Sequence, residues 1–316
     1  MTVVGARADV AEIACDVERT INAVVRGRES VVRLTLVGLF SGGHLLIEDV
    51  PGVGKTLLAK SLATAVGGAF SRIQATPDLL PSDVTGSSVY QPVQGAWEFH
   101  PGPIFANVVI VDEINRATPR TQSAVLEAME ERQVTVDGVT RRLPDPFFII
   151  ATQNSREHAG TFALPDGQLD RFALTTSMGY PAANDEADVL LGEGGARALQ
   201  DVVQVVDADR LARAIDAVQS VHVQKSVADY VVAIATATRS HPAIGVGASP
   251  RASVALLRAA QARAAIDGRT HVVPDDVHSL AVPVLGHRLV LHDGAGFAAG
   301  ARLIAEIVDT IAVPRQ

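Results

Sequence analysis

The chain has 316 residues, 47% of them hydrophobic and only 4% aromatic, which allows one large domain and a smaller one built on aliphatic cores. With 27 basic residues against 35 acidic ones, the net charge of −8 offers no overall attraction to nucleic acid or an anionic membrane. A single cysteine, Cys15, excludes an intrachain disulfide and lacks the spaced partners of a zinc site, so it reads as a small buried apolar residue.

The N-terminal stretch carries Asp9, Glu12, Asp16, Glu18 and Arg19 within a helical pattern, unlike a signal peptide, and no apolar run is long enough to span a bilayer. A cytoplasmic, reducing setting is the expectation. Leu45, Leu46 and Ile47 then form a short apolar run suited to a buried parallel strand, and Leu57, Leu58, Leu62, Ala65 and Val66 recur at helical spacing. Between them lies Glu48-Asp-Val-Pro-Gly-Val-Gly-Lys-Thr56. Gly52 and Gly54 let successive backbone N–H groups turn inward, and the helix that follows aims its positive end at the same point. Lys55 would add a mobile cation for the β- and γ-phosphates, and the Thr56 hydroxyl would ligate Mg²⁺. The general phosphate-loop pattern wants glycine where this chain has Asp49.

Further strand-like runs at Val108 to Val111, Phe147 to Ala151 and Phe172 to Thr176 alternate with helices and predict a parallel α/β sheet covered on both faces, with its ligand site at the strands' carboxyl ends. Asp112-Glu113 follows the second run at once. In a phosphate-loop site Asp112 would hold Mg²⁺ and Glu113 would polarise the attacking water. Thr118-Pro119 caps a helix with Val125, Leu126 and Met129 on one face, and Asp137-Gly138 marks a two-residue hairpin within Gln133 to Arg142. That hairpin suits gripping a substrate and equally suits a plain surface excursion.

Beyond Tyr180-Pro181 the strand signals stop, and after a Gly/Ala/acidic stretch (Asn184 to Gly195) only helical patterns follow. The expected division is therefore an α/β domain over 1–180 and an all-helical one over 181–316. One helix is well marked, with Ser249 as cap, Pro250 in the first turn, a buried stripe of Val254, Leu257, Ala260 and Ala264, and Asp267-Gly268 as its stop.

Taken together, the chain resembles the MoxR family of AAA+ ATPases over nearly its whole length. The resemblance is carried by Gly43 to Thr56, Thr76-Pro-Asp-Leu-Leu-Pro-Ser-Asp-Val-Thr-Gly86, Gly102-Pro-Ile-Phe105, Asp112-Glu-Ile-Asn-Arg116, Ala151-Thr-Gln-Asn154, Leu169-Asp-Arg-Phe172 and Gly247-Ala-Ser-Pro-Arg251. That family often shows an aspartate at the position of Asp49. The resemblance implies a phosphate-loop AAA+ domain with a smaller helical lid, ATP and Mg²⁺ as ligands, and nucleotide contacts from Pro51, Gly52, Val53, Gly54, Lys55, Thr56 and Leu57 with Gly27 near the adenine. It also implies roles for Asn154 as a sensor of the γ-phosphate, Arg171 as an arginine finger reaching a neighbouring subunit, and Arg251 as a second sensor in the lid. Two departures stand out: Ser155 replaces the family's usual proline, and Arg26 and Arg28 flank Gly27 where an apolar and an amide-bearing residue are common.

An arginine supplied in trans requires a head-to-tail interface, which closes into a ring where the rotation permits. The resemblance implies a hexamer acting on a partner protein, often one with a von Willebrand factor A domain. Two rival readings stay open at this point. A nucleic-acid motor is opposed by the acidic balance and by the shortness of Arg141-Arg142 as a basic run, and a nucleotide-gated scaffold with little turnover is opposed by intact Glu113 and Arg171.

Overall fold

The computed structural model describes residues 3–154, 160–294 and 296–314; Ser155 lies outside them. Two helices, α1 (Val3–Val24) and α2 (Glu29–Phe40), precede β1 (Leu45–Glu48), α3 (Lys55–Ala65) and β2 (Phe70–Gln74). After α4 (Pro81–Thr85) come β3 (Gly86–Gln91), β4 (Ala96–Pro101), β5 (Val108–Asp112), α5 (Pro119–Glu131), β6 (Gln133–Val136), β7 (Val139–Arg142) and β8 (Phe148–Gln153). A short α6 (Asp166–Leu169) leads into β9 (Leu174–Thr176). Strands β2, β5, β8, β1 and β9 form, in that order, a five-stranded parallel sheet.

Why these runs make a buried sheet is visible in their alternation. Leu45, Ile47, Val108, Ile110, Phe148, Ile150 and Leu174 pack into the core shared with α1, α2 and α3, whereas Leu46, Val109, Val111, Ile149 and Ala151 pack with Val125, Leu126 and Met129 of α5. Successive side chains point to opposite faces, and both faces are covered, so the strands read as continuous apolar runs. The edge strand β2, Phe-Ser-Arg-Ile-Gln, has no such run and was not expected; only Ile73 in it is buried. The last strand starts at Leu174 because Phe172, although buried, belongs to a segment whose carbonyl is taken by the lid.

Two hairpins leave the sheet. At one, Asp137 (φ 52°) and Gly138 (φ 75°) occupy the left-handed region between β6 and β7, as a two-residue turn requires. The other, β3 with β4, arises from the stretch Ser87 to Phe99, and it leaves Trp97 and Tyr90 exposed with ring centroids 5.5 Å apart.

The remainder is helical: α7 (Ala183–Leu190), α8 (Gly195–Ala198), α9 (Ala208–Val218), α10 (Lys225–Ser240), α11 (Pro250–Ile266), α12 (Pro274–Leu285) and α13 (Phe297–Thr310). It is not all-helical, since β10 (Ile244–Val246) pairs with β11 (Val290–Leu291). Ser249 caps α11 as expected, its Oγ accepting from the Ala252 N–H at 3.1 Å. The expected stripe holds only in part: Ala260 and Ala264 are buried as expected, Val254 and Leu257 are not. Ala252, Leu256, Ala259, Ala260 and Ala264 are buried, Leu257 is half-buried and Val254 is 51% exposed. A helix so rich in alanine has no strongly polar face, and its packing against α1, α2, α10 and α12 sets the phase instead. Cys15 corrects a second expectation: it is exposed on α1, on the side of Arg19, whose Nη2 lies 3.5 Å from its Sγ.

Candidate functional site

The turn after β1 builds a cradle of backbone N–H groups of a shape suited to phosphate. Gly52 (φ 85°) and Gly54 (φ 99°) lie in the left-handed region that favours glycine, and Gly54 is the cap from which α3 begins at Lys55. No atom lies within 4 Å of where a Cβ on Gly52 would stand, so its backbone faces open space. Pro51, Gly52, Gly54, Lys55, Thr56 and Leu57 line a cavity of about 370 Å³ together with Arg72, Gln74, Asp112, Glu113 and Thr152. Lys55 Nζ donates to the Asp49 carbonyl at 3.1 Å; burial lowers its pKa, opposed by the charges of Asp49, Asp112 and Glu113.

Asp49 braces the loop. One of its oxygens accepts from the Gly179 N–H at 2.6 Å and from Ser177 Oγ at 3.0 Å, and the other from the Val50 N–H at 2.7 Å. Burial pushes its pKa up, but these hydrogen bonds outweigh it and hold the carboxylate below its ordinary range. A glycine could not tie the cradle to the segment after β9 in this way.

The two carboxylates stand at the end of β5, on the same cavity wall. Asp112 is buried and accepts from Arg72 Nε at 2.7 Å, while Thr152 Oγ1 donates to its other oxygen at 3.4 Å. Thr152 Oγ1 also accepts from the Glu113 N–H at 2.9 Å, fixing a residue whose φ of 54° is unusual for a non-glycine. Glu113 is held by Arg116 at 2.9 Å. Thr56 and Asp112 offer a hydroxyl and a carboxylate beside the phosphate cradle. No cluster of three metal-binding side chains occurs among the described residues, and a site of few protein oxygens completed by phosphate is the kind Mg²⁺ takes. Asn154, buried, follows β8 directly, two residues beyond Thr152 on the same edge of the sheet.

A second cavity of about 440 Å³ adjoins this one, sharing Pro51, Gly52, Gly54 and Leu57 and adding Val53, Val24, Val25, Tyr180, Pro181, Val189 and Leu190. Its apolar walls suit a flat base. Arg26 and Arg28 line it but are committed elsewhere: Arg28 donates to the carbonyls of Gly27 (3.1 Å) and Gly179 (2.8 Å), and Arg26 to that of Glu193 (2.9 Å). Gly27 itself, at φ 66°, packs against Asp185 beside this cavity.

Arg171 and Arg251 are brought together, but away from Lys55. Both pair with Glu130 at the end of α5, Arg171 Nε at 3.3 Å and Arg251 Nη1 at 3.0 Å, one on each carboxylate oxygen. They line a cavity of about 410 Å³ with Arg132, Arg258, Arg288, Asp170, Gly43, His44 and Ala173, and among the described residues it shares no wall with the phosphate cavity. Gly43 and His44 precede β1 and Ala173 precedes β9, so this cavity opens at the amino ends of the parallel strands, opposite the cradle. The strand β1 separating the two edges spans roughly 13 Å at about 3.3 Å per residue. His44 anchors this edge: Nε2–H donates to the Met129 carbonyl (3.0 Å) and Nδ1 accepts from the Ile149 N–H (3.0 Å), and burial lowers its pKa to about 4, leaving it neutral.

Thr152, Arg72 and Gln74 of the phosphate cavity were missed by sequence reasoning, as was Glu130. The first lies near the end of the apolar strand β8 and could have been found from its place two residues before Asn154; Arg72, Gln74 and Glu130 carry no local signal.

Known proteins share this domain order. The family model for the ATPase family associated with various cellular activities (AAA) matches residues 44–174, and that for the AAA lid domain matches 236–310. The chain is 47% identical over 298 residues to the uncharacterized protein YeaC of Bacillus subtilis, covering 94% of this chain and 93% of that one. It is 38% identical to the chaperone MoxR1 of Mycobacterium tuberculosis (93% and 81% covered) and 31% identical to the protein MoxR of Methylorubrum extorquens (90% and 89%). A solved structure from Cytophaga hutchinsonii, 32% identical, superposes with a TM-score of 0.87 over 99% of this chain and 97% of its own. With a phosphate cradle, paired carboxylates and a helical lid in that order, the chain belongs to the MoxR family of AAA+ ATPases.

Proposed function

We propose that this protein hydrolyses Mg·ATP between neighbouring subunits of a ring, a hexamer by analogy with its resemblance, and spends the energy remodelling or activating a partner protein. A protein bearing a von Willebrand factor A domain is the partner class we favour, and the cytoplasm the setting. We assign the α/β domain to 1–180 and the lid to 181–316.

The observation that carries this reading is the placement of Arg171 and Arg251 on the edge of the sheet opposite Lys55. Neither guanidinium is built to serve its own chain's triphosphate, whereas a head-to-tail neighbour would set its cradle against them. In the cradle, Lys55 and the N–H groups around Gly52 and Gly54 hold the β- and γ-phosphates, with Thr56 and Asp112 holding Mg²⁺. When bound, Mg²⁺ supplies charge neutralisation across the phosphate oxygens. Glu113, released from Arg116, orients and polarises water, Asn154 orients that water with its amide, and Arg171 and Arg251 of the next subunit stabilise charge that develops on the γ-phosphoryl group.

The lid and the two hairpins transmit the result, β3 with β4 presenting Trp97 and Tyr90 and β6 with β7 presenting Asp137-Gly138. The decisive test mixes two inactive proteins. Arg171→Ala and Lys55→Ala rings, each without turnover, are expected to recover part of it on mixing, because each then supplies what the other lacks; persistent inactivity in the mixture would reject hydrolysis in trans.

A further inference from the structure

The segment carrying Arg171 is held by residues of the lid, and Arg288 makes most of the contacts. Arg288, in the 3-10 turn Gly286–Arg288 after α12, has a side chain only 3% exposed. Its Nε donates to Asp170 Oδ1 at 2.7 Å, its Nη2 to the carbonyls of Phe172 (2.6 Å) and Asp170 (3.3 Å), and its Nη1 to those of Ala173 (3.3 Å) and Val284. The adjacent His287, kept neutral by burial and by the charge of Arg288, donates Nε2–H to the same Phe172 carbonyl at 3.1 Å. The carbonyls of Asp170, Phe172 and Ala173, on both sides of Arg171, are thus gripped by the lid rather than by a strand.

Asp170 continues the chain of contacts. Its second oxygen, Oδ2, accepts from Ser249 Oγ at 3.2 Å, and Ser249 is the cap of α11, the helix that carries Arg251 near its start. One carboxylate therefore ties together the segment bearing Arg171, the turn bearing Arg288 and the helix bearing Arg251. A guanidinium is suited to this task because its donors lie in a fixed planar fork that reaches several acceptors at once, which an ammonium cannot do.

We propose that Arg288 is a positioning residue, fastening Asp170–Ala173 to the lid so that Arg171 and Arg251 reach a neighbouring subunit's triphosphate as one preset pair. This rests on the trans reading above. A misplacement of about 1 Å in a group acting on a transition state costs up to about a hundredfold in rate, so the loss falls on turnover at the neighbour's site and not on nucleotide binding at the subunit's own cradle.

The test compares Arg288→Ala and Arg288→Lys with Arg171→Ala, reading own-site affinity for a fluorescent ATP analogue with Mg²⁺, turnover of homogeneous rings, and turnover after mixing with Lys55→Ala. For both Arg288 variants the expectation is affinity within about twofold of the parent, turnover down at least about tenfold, and recovery on mixing with Lys55→Ala. A purely structural role would not be cured by mixing. Unchanged turnover, or loss that mixing leaves in place while Arg171→Ala is rescued, overturns the proposal; failure of Arg171→Ala itself to be rescued overturns the trans reading on which it stands. Should Arg288→Ala not fold, Arg288→Lys, which keeps the charge and loses the fork, decides by the same readouts.

Discussion

The two edges of the central sheet differ in how they are made. At the carboxyl edge the cradle closes over short distances: Lys55 reaches back six residues to Asp49, and left-handed glycines shape the loop between them. At the amino edge the arginine cavity is assembled from afar, with Arg288 meeting Asp170 across 118 residues and the arginines of two separate segments converging on Glu130. Charge differs as well. The amino-edge cavity sets five guanidinium groups against the carboxylates of Glu130 and Asp170, in a chain whose net charge is −8. One edge is thus shaped to hold an anion with backbone, whereas the other gathers guanidinium groups around two carboxylates. Local motif and distant assembly are two halves of one site only if different subunits supply them.

Substitutions that act on one edge alone sharpen this contrast. The largest effect is expected from Arg171→Ala, with turnover down about a thousandfold while own-site ATP affinity is preserved; a loss of affinity instead would place Arg171 in its own subunit's site. Next comes Glu113→Gln, which should leave nucleotide binding intact and reduce turnover about a hundredfold or more, read in single-turnover experiments. Lys55→Ala works on the other quantity, weakening Mg·ATP binding by about a hundredfold, or roughly 2.7 kcal/mol, in calorimetry. If Glu113→Gln and Lys55→Ala lost affinity equally, the division of labour at the carboxyl edge would be wrong.

The same contrast explains what could be read from the sequence. Everything set by neighbours in the chain was legible: the cradle, Asp112-Glu113 at the end of an apolar strand, the Thr118 cap with its Thr121 N–H bond at 3.4 Å, and the Asp137-Gly138 turn. What failed depended on partners far away. The edge strand β2 has one buried side chain and is defined by its pairing with β5; the phase of α11 is set by the helices packed around it, and Cys15 sits on the solvent side of a helix whose buried face is supplied by others. The arginine residues were recognised only through resemblance, since Asp170-Arg171 by itself reads as a surface ion pair. That they share Glu130, on the opposite edge from Lys55, was not legible at all.

Glu130 offers the smallest and most discriminating expectation. It is 37% exposed, and its partners Arg171 and Arg251 are 29% and 46% exposed, so each pair is screened by water and worth at most about 1 kcal/mol. Such a contact is strong enough to keep two guanidinium groups side by side and weak enough to be displaced by a more highly charged phosphate group. If Glu130 is a resident counter-ion of this kind, Glu130→Gln removes a competitor, and subunits should associate about threefold more tightly in the presence of Mg·ATP. The gain should appear as turnover reached at lower protein concentration, and it should shrink as salt is raised toward about 1 M, where the screening length falls to about 3 Å. A fall in turnover at saturating protein concentration would mean instead that the carboxylate aligns the arginines throughout the reaction, and that the amino edge is preset by Glu130 as well as by Arg288.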